Sequence, residues 1–466
     1  MHKTAKVPKV KQRQGRDNNM NKLRRELSSW HGYALVIGGM IGSGIFVVTG
    51  QAGAEAGPSV PFGYIALLPV LLASALAYLI FLSSPLGKKP GGAYVHISRT
   101  FQSHFVGFIF MWFQYIALIG VMAVIALSFS DYVTSLLGWG HSLLLATVFV
   151  LFFYLLNLIG VKWFGRIQLW MSIILLVSIG FLVLPGLFAV HLKNYTPLLP
   201  HGWHGFFSIL PSLFFAYFGF EQLAQTGGEM KNPQKTLPRT MLRGALITMA
   251  IYFLVSWVAF GVLPADILAN SQSAMADVAA VYLPGWAKWI VVIGIIMAFA
   301  TTLNSIMMVV SRMLFSYAED RTVPSVLALV NKKFGTPHLS LTVNTLLVIG
   351  LLWTKTLDYI INISLQGMFL MYIGHAIAMI ALPYVRPALL ETALFKPSKK
   401  WMVVSGCFAL VVLAIFSFQM ILSVAPMLIG WAIIGTALFF IGKWEGNRRG
   451  FDYRANLKED WAKKAS

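Results

Sequence analysis

Acidic side chains are scarce in this 466-residue chain: 16 Asp and Glu stand against 36 Lys and Arg, for a formal net charge of +20 at pH 7. Charge of either sign is scarce as well, at 11% of residues, where a soluble globular domain carries about 25%. Cysteine occurs once, at Cys407, which excludes an internal disulfide framework and a thiolate metal cluster. No apolar h-region precedes the first long apolar stretch, so no cleavable signal peptide is expected. The sequence offers no nucleophile–base pair and no His/Asp/Glu metal cluster, which argues against an enzyme.

Apolar residues fill the chain instead, at 58%. Stretches of about 20 residues, each long enough to cross a hydrocarbon core of about 30 Å, fall at roughly 31–55, 58–83, 104–136, 141–160, 166–191, 205–228, 240–263, 285–318, 338–354, 358–383, 401–422 and 425–443. The basic residues between them alternate: 33 of the 36 lie in the two tails and every second loop, and only Lys193, Lys288 and Lys355 lie on the other side. That asymmetry is a positive-inside pattern, which places both termini in the cytoplasm of a multi-pass protein in the cytoplasmic membrane. It also turns the net charge toward anionic lipid headgroups rather than nucleic acid. The first thirty residues, 1–30, read as a disordered basic tail, and 444–466 as a second cytoplasmic tail.

Two of the apolar stretches carry their own interruption. The first holds Gly38, Gly39, Gly42 and Gly44 around Ser43, where each glycine costs roughly 1 kcal/mol of helix propensity relative to alanine. The sixth holds Gly219, followed by Glu221. In hydrocarbon, backbone groups freed by a break require protein, water or ligand partners. Taken singly, Gly38-x-x-x-Gly42 also fits close helix packing. Taken as a pair five stretches apart, and so in opposite orientations, the breaks point to an inverted-repeat transporter with its site at mid-depth. The expected class is all-α integral membrane with twelve transmembrane helices. Residues 31–200 and 201–386 form a five-plus-five inverted repeat with discontinuous helices 1 and 6, and 387–443 adds two C-terminal helices.

These residues resemble the amino acid–polyamine–organocation (APC) superfamily of permeases. The likeness rests on Gly39-Met40-Ile41-Gly42-Ser43-Gly44-Ile45-Phe46, on Pro90-Gly91-Gly92-Ala93-Tyr94, on Phe215-Ala216-Tyr217-Phe218-Gly219-Phe220-Glu221 with Glu229-Met230-Lys231-Asn232-Pro233, and on Leu303-Asn304-Ser305 with Ser311-Arg312-Met313-Leu314. It implies alternating access and an α-amino acid or related amine as solute. The freed amides of Ser43 and Gly44, with the Ser43 hydroxyl, at a helix N-terminus that begins after Gly42 suit a carboxylate. By resemblance, the carbonyls of Met40, Phe215, Ala216 and Phe218 accept from the ammonium, with Ile41 and Gly219 completing the breaks. Glu221 has two readings, a gate or proton carrier and a cap on the second half-helix. Tyr115, Leu118 and Met122 share a face of the third helix by spacing and are expected either to line a side-chain pocket or simply to pack.

The third, eighth and tenth stretches carry no acid at mid-span, which favours a neutral solute over a cationic one, since a cation there would be unpaired, and the many Phe, Met and Ile residues lean toward a bulky apolar side chain. A cationic amino acid or polyamine exchanger, and a transporter-like amino acid sensor, remain as alternatives. No cofactor is expected; the coupling ion is sodium or a proton, in symport or exchange. The spacing Ala298-x-x-Thr301-Thr302 resembles the sodium site of neurotransmitter-type symporters, completed by carbonyls of Gly38 and Ile41, although Thr301 and Thr302 can equally bond back to their own helix. The fifth-span lysine of some proton-coupled relatives falls at Leu175. An acid frequent after the second-span tyrosine is replaced by Leu79-Ile80-Phe81 after Tyr78. His375 alone lies deep in a span, and His96 and His104 lie near the cytoplasmic side. Oligomeric state is left open.

Overall fold

The computed structural model describes residues 23, 25–42, 44–138, 140–271, 273–354 and 357–462. Most of the basic N-terminal tail, Ser43, Lys355 and the last four residues of the C-terminal tail lie outside them. Within the described residues the chain is helical, with no strand beyond one isolated bridge between Leu27 and Met230. The principal elements are α1 (Ser29–Met40), α2 (Thr49–Ala56), α3 (Leu68–Ser83), α4 (Ala93–Phe101), α5 (His104–Leu137), α6 (Ser142–Leu158), α7 (Val161–Gly186), α8 (Leu210–Phe215), α9 (Pro233–Val262), α10 (Gly285–Glu319), α11 (His338–Thr354), α12 (Leu357–Val385), α13 (Lys399–Arg448) and α14 (Tyr453–Ala462). Nine helical stretches among the described residues are long and apolar enough to span a membrane, and α6 and α11 are shorter apolar helices.

Local chemistry sets the helix ends. The Ser103 hydroxyl accepts from the Val106 amide at the start of α5, and Gly138 closes that helix at φ +70°, the left-handed position that glycine takes without strain. Pro233 opens α9, where its missing N–H is no loss. A straight helix of 50 residues would measure about 75 Å, yet α13 keeps both ends at one end of the molecule. Its Gly406 packs on Ile380, and its Gly442 packs on Val323. The element therefore doubles back, with Pro426 in its central part.

Burial sorts the bundle into centre and rim. In the most apolar window of α5 and of α10, 78% of residues are buried, against 33% and 22% in the two arms of α13. The rim carries fully apolar exposed residues such as Leu144, Phe152, Leu155, Leu184, Leu422 and Ile433, a surface suited to lipid tails rather than water. Apart from Trp170 inside α7, the exposed tryptophans lie near helix ends: Trp30, Trp163, Trp401 and Trp444 at one end, and Trp203, Trp286, Trp289 and Trp353 at the other. Such belts mark the two membrane–water interfaces.

The end that carries the basic loops is stitched shut by buried ion pairs. Arg312 meets Glu229 through two bonds, Nη2 to Oε1 at 2.8 Å and Nε to Oε2 at 3.2 Å, with both side chains at most 2% exposed. Arg99 holds Asp320 at 2.6 and 3.2 Å, and the Tyr94 hydroxyl donates to the same carboxylate. Burial pushes the Asp320 carboxyl up, but the guanidinium beside it outweighs that and holds it below the usual carboxylate range. Leu27 is joined to this layer by backbone bonds to Glu229 and Lys231. Removing one partner of a buried pair leaves an uncompensated charge, typically at a cost of about 3–5 kcal/mol. Arg312→Met is therefore expected to lower the thermal unfolding temperature in detergent sharply, and Arg312→Met with Glu229→Leu to recover much of it; an unchanged single variant would refute the ion pair as a structural tie.

Candidate solute-binding site

Both interrupted segments are broken where glycine falls. Helix α1 ends at Met40; Ile41 turns to ψ 94°, Gly42 bends, and the chain resumes as a wide turn over Gly44–Val48 before α2. Ser43, placed by sequence among the carboxylate ligands, lies outside the described residues. The second break follows α8: Gly219 takes φ +127°, and the chain continues as a 3-10 turn over Phe220–Thr226. The expected second α-helical half of this segment is thus a tighter, shorter element.

The two breaks touch. A Cβ on Gly44 would lie 2.7 Å from Cα of Ala216, and one on Gly219 would lie 2.8 Å from the Gly39 carbonyl oxygen. Glycine is required at both positions for the close backbone approach, and at Gly219 also for the positive φ. One side chain spans the junction. The Tyr252 hydroxyl on α9 lies 2.5 Å from the Met40 carbonyl and 2.8 Å from the Ala216 carbonyl, sharing its hydrogen between the two broken segments. Two of the carbonyls expected to face an ammonium are therefore already engaged, each keeping one lone pair. Sequence reasoning missed Tyr252, because nothing in a helical tyrosine signals a partner more than two hundred residues away.

Between the breaks lies a small cavity of about 20 Å³, lined by Gly39, Met40, Gly42, Gly44, Leu118, Val121, Ile125, Phe215, Ala216, Phe218, Gln222, Thr302, Ile306 and Met368. That volume holds about one water and no amino acid, so the segments around it must part to admit a solute. The lining carries no charged side chain among the described residues. The side-chain oxygen of Gln222 is buried there with no hydrogen-bond partner. Leu118 lines the cavity as expected, but Tyr115 does not: its hydroxyl donates to Asn344 at 2.6 Å, and its ring stacks on Trp112. Met122 is buried without lining it. The spacing Leu118, Val121, Ile125 gives the actual face of α5. At the end opposite the basic loops a cleft of about 860 Å³ opens, lined by Phe46, Gln51, Asp131, Tyr132, Asn270 and Phe299 among others.

Glu221 is buried beside the second break. Its Oε2 accepts from the Gly219 amide at 2.9 Å and from the Tyr372 hydroxyl at 2.8 Å, while Oε1 has no partner. It thus caps freed backbone and leaves one oxygen open. The oxygens of the sodium-type spacing also converge. Thr302 Oγ1 lies 3.0 Å from the Gly38 carbonyl, 3.2 Å from that of Ile41 and 3.0 Å from that of Ala298, and the Thr301 hydroxyl donates to Ala298 at 3.0 Å.

Behind them runs a layer of buried amides. Gln168 on α7 donates to the carbonyls of Ala34 and Thr301 and to the Ser305 hydroxyl, Asn304 donates to Gln168, and Asn157 donates to Asn304. Leu175, the position expected from resemblance to hold or lack a lysine, is plain buried packing. The polar function of α7 sits two turns earlier, at Gln168.

The sequence model described as "Amino acid permease" matches residues 27–442. The chain belongs to the amino acid permease family. Among its relatives is the serine/threonine exchanger SteT of Bacillus subtilis (strain 168), 30% identical over 376 residues that cover 78% of this chain and 84% of SteT. The branched-chain amino acid permease BcaP of the same organism is 28% identical, covering 68% of this chain and 72% of BcaP. A D-serine/D-alanine/glycine transporter of Escherichia coli (strain K12) is 28% identical, covering 70% and 72%. This permease is therefore a multi-pass membrane protein of a transporter family, and its small-molecule solutes are amino acids. In the permease, Gly44→Ala forces the two breaks apart at 2.7 Å. Uptake is expected to fall at least about tenfold, roughly 1.4 kcal/mol, with normal abundance in the membrane; uptake at the unsubstituted level would show that contact between the breaks is dispensable.

Proposed function

We propose that this permease carries neutral amino acids with apolar side chains across the cytoplasmic membrane by alternating access. On this reading the chain crosses twelve times, residues 31–200 and 201–386 are inverted repeats, and both termini face the cytoplasm. The observation that carries it is the pair of opposed breaks around an uncharged, largely apolar cavity. The amides that follow Gly42 would hold the carboxylate, and the α2 dipole adds to their pull. The unpartnered Gln222 oxygen, with the remaining lone pairs of Met40, Ala216 and Phe218, would accept from the ammonium. Leu118, Val121, Ile125, Ile306 and Met368 would surround the side chain, and a cationic one would find no counter-charge. The activities of SteT, a serine/threonine exchanger, and BcaP, a branched-chain amino acid permease, agree with a neutral solute.

The larger cleft and the stitched basic end support a resting form closed toward the cytoplasm. Two readings of the coupling ion differ in a specific group. The all-oxygen set of Gly38, Ile41, Ala298, Thr301 and Thr302 suits a hard cation, and a sodium ion held there would tie α1 to α10. Glu221, buried with one free oxygen beside the second break, favours a proton.

Counterflow in proteoliposomes with a panel of amino acids tests the solute. Leucine-like and small neutral amino acids should exchange, arginine and lysine should not; binding without flux for every member would refute transport. Thr302→Val should abolish stimulation by sodium if the ion binds there, and indifference of the unsubstituted protein to sodium would remove that ion and leave the proton.

A further inference from the structure

Two histidines not used by the solute site meet inside the closed end. His96 lies on α4, the short helix between α3 and α5, and His375 lies on α12. Both are 1% exposed. Nδ1 of His96 and Nε2 of His375 are 3.1 Å apart, and the rings stack at 5.2 Å with 20° between their planes. Phe81 lies across both, at 4.8 Å from His96 and 5.4 Å from His375, and the edge of Tyr78 closes one side at 4.2 Å from His375. The other ring nitrogen of His375, Nδ1, is buried with no hydrogen-bond partner. Phe81 belongs to the run that replaces an acid at the end of the second apolar stretch.

Two imidazole nitrogens in contact can share one hydrogen, since one must donate and the other accept. The closed contact thus holds one proton between the rings and excludes a second, because two facing N–H groups repel. The ionisable groups around the pair do not supply a fixed counter-charge. Tyr78 comes from α3, where its hydroxyl contacts Met371. Tyr372 lies three residues before His375, and its hydroxyl is engaged by Glu221 of the 3-10 turn. Phe110 of α5 packs on Gly374, and Gly406 of α13 packs on Ile380. On α4 itself, Tyr94 and Arg99 are committed to Asp320.

We propose that the His96–His375 pair is a proton-binding site built into the closure between α4 and α12, where binding of a second proton releases that closure. Separated rings reach water and each titrates near its ordinary value of about 6.5. The open form therefore binds more protons than the closed form, and acid on that side favours opening. For one linked proton the open-to-closed ratio rises about tenfold per pH unit below about 6.5. The site stands whichever ion occupies the solute site, but its transport readout rests on the transporter reading.

The experiment uses the full chain in proteoliposomes, with counterflow of a labelled neutral amino acid at equal pH on both sides from 5 to 8. The unsubstituted protein should show an inflection near pH 6.5. His96→Gln with His375→Gln, whose amides can still bond to each other, should lose that inflection while keeping its rate at pH 7.5 within about twofold, small beside the 5–150-fold span of typical site coupling. A double variant with the unsubstituted pH profile overturns the proposal. If no counterflow is seen at any pH, the transporter reading fails, and the pair is judged by a second measurement that needs neither flux nor variant. Nitrogen-15 NMR of ring-labelled histidine in lipid should show a hydrogen-bond coupling between two ring nitrogens at pH 7.5 that disappears toward pH 5. Its absence at every pH overturns the proposal, and its presence with that titration supports it.

Discussion

A single phenolic hydroxyl joins the two broken segments on which everything else in this permease depends. Helices interrupted in hydrocarbon leave carbonyls without partners, and each unsatisfied group costs several kcal/mol there. Tyr252 reaches the Met40 and Ala216 carbonyls together. It thereby fixes the distance between the breaks and makes them one unit. Gly44 against Ala216 and Gly219 against Gly39 then need no side chain between them. The cavity is the space left on the far side of that junction, and its smallness follows from how tightly the junction is drawn.

The same economy of partners runs outward from the junction. Glu221 caps Gly219 and accepts from Tyr372, which binds the second break to α12. Thr302 accepts no fixed place of its own; its hydroxyl sits among carbonyls of α1 and α10 and so ties the first break to the central helix. The amide layer of Gln168, Asn304 and Asn157 continues that tie to α7 and α6. Buried polar groups of this kind hold geometry because each unmade bond would be expensive. At the basic end, charge takes over from neutral amides. Arg312–Glu229 and Arg99–Asp320 are buried pairs that close the structure at that end.

Much of this was legible without coordinates, for reasons that can be stated residue by residue. Gly219 marks a break because its φ of +127° is one that other residues rarely adopt, and Gly44 because a Cβ there would lie 2.7 Å from Ala216, so the positions of the breaks were legible in the sequence. The face of α5 was half right: helical spacing put Leu118 on the cavity, but it could not say that Tyr115 turns away to Asn344. The spacing Ala298-x-x-Thr301-Thr302 pointed to α10, where Thr302 lies at the first break and Thr301 bonds back to its own helix. Gln168 and Tyr252 gave no local signal, since their partners lie on other helices.

The linear chain by itself determined that this protein belongs in a membrane, where two of its apolar stretches break and that it resembles the amino acid permeases. Those features are set by apolar length, by glycine and by short motifs, all local properties of the polymer. Only the tertiary structure decided which polar groups satisfy one another: Tyr252 with two carbonyls, Arg312 with Glu229, His96 with His375. In a low-dielectric interior each buried polar atom must find its partner wherever packing brings one, and distance along the sequence has no bearing on that choice.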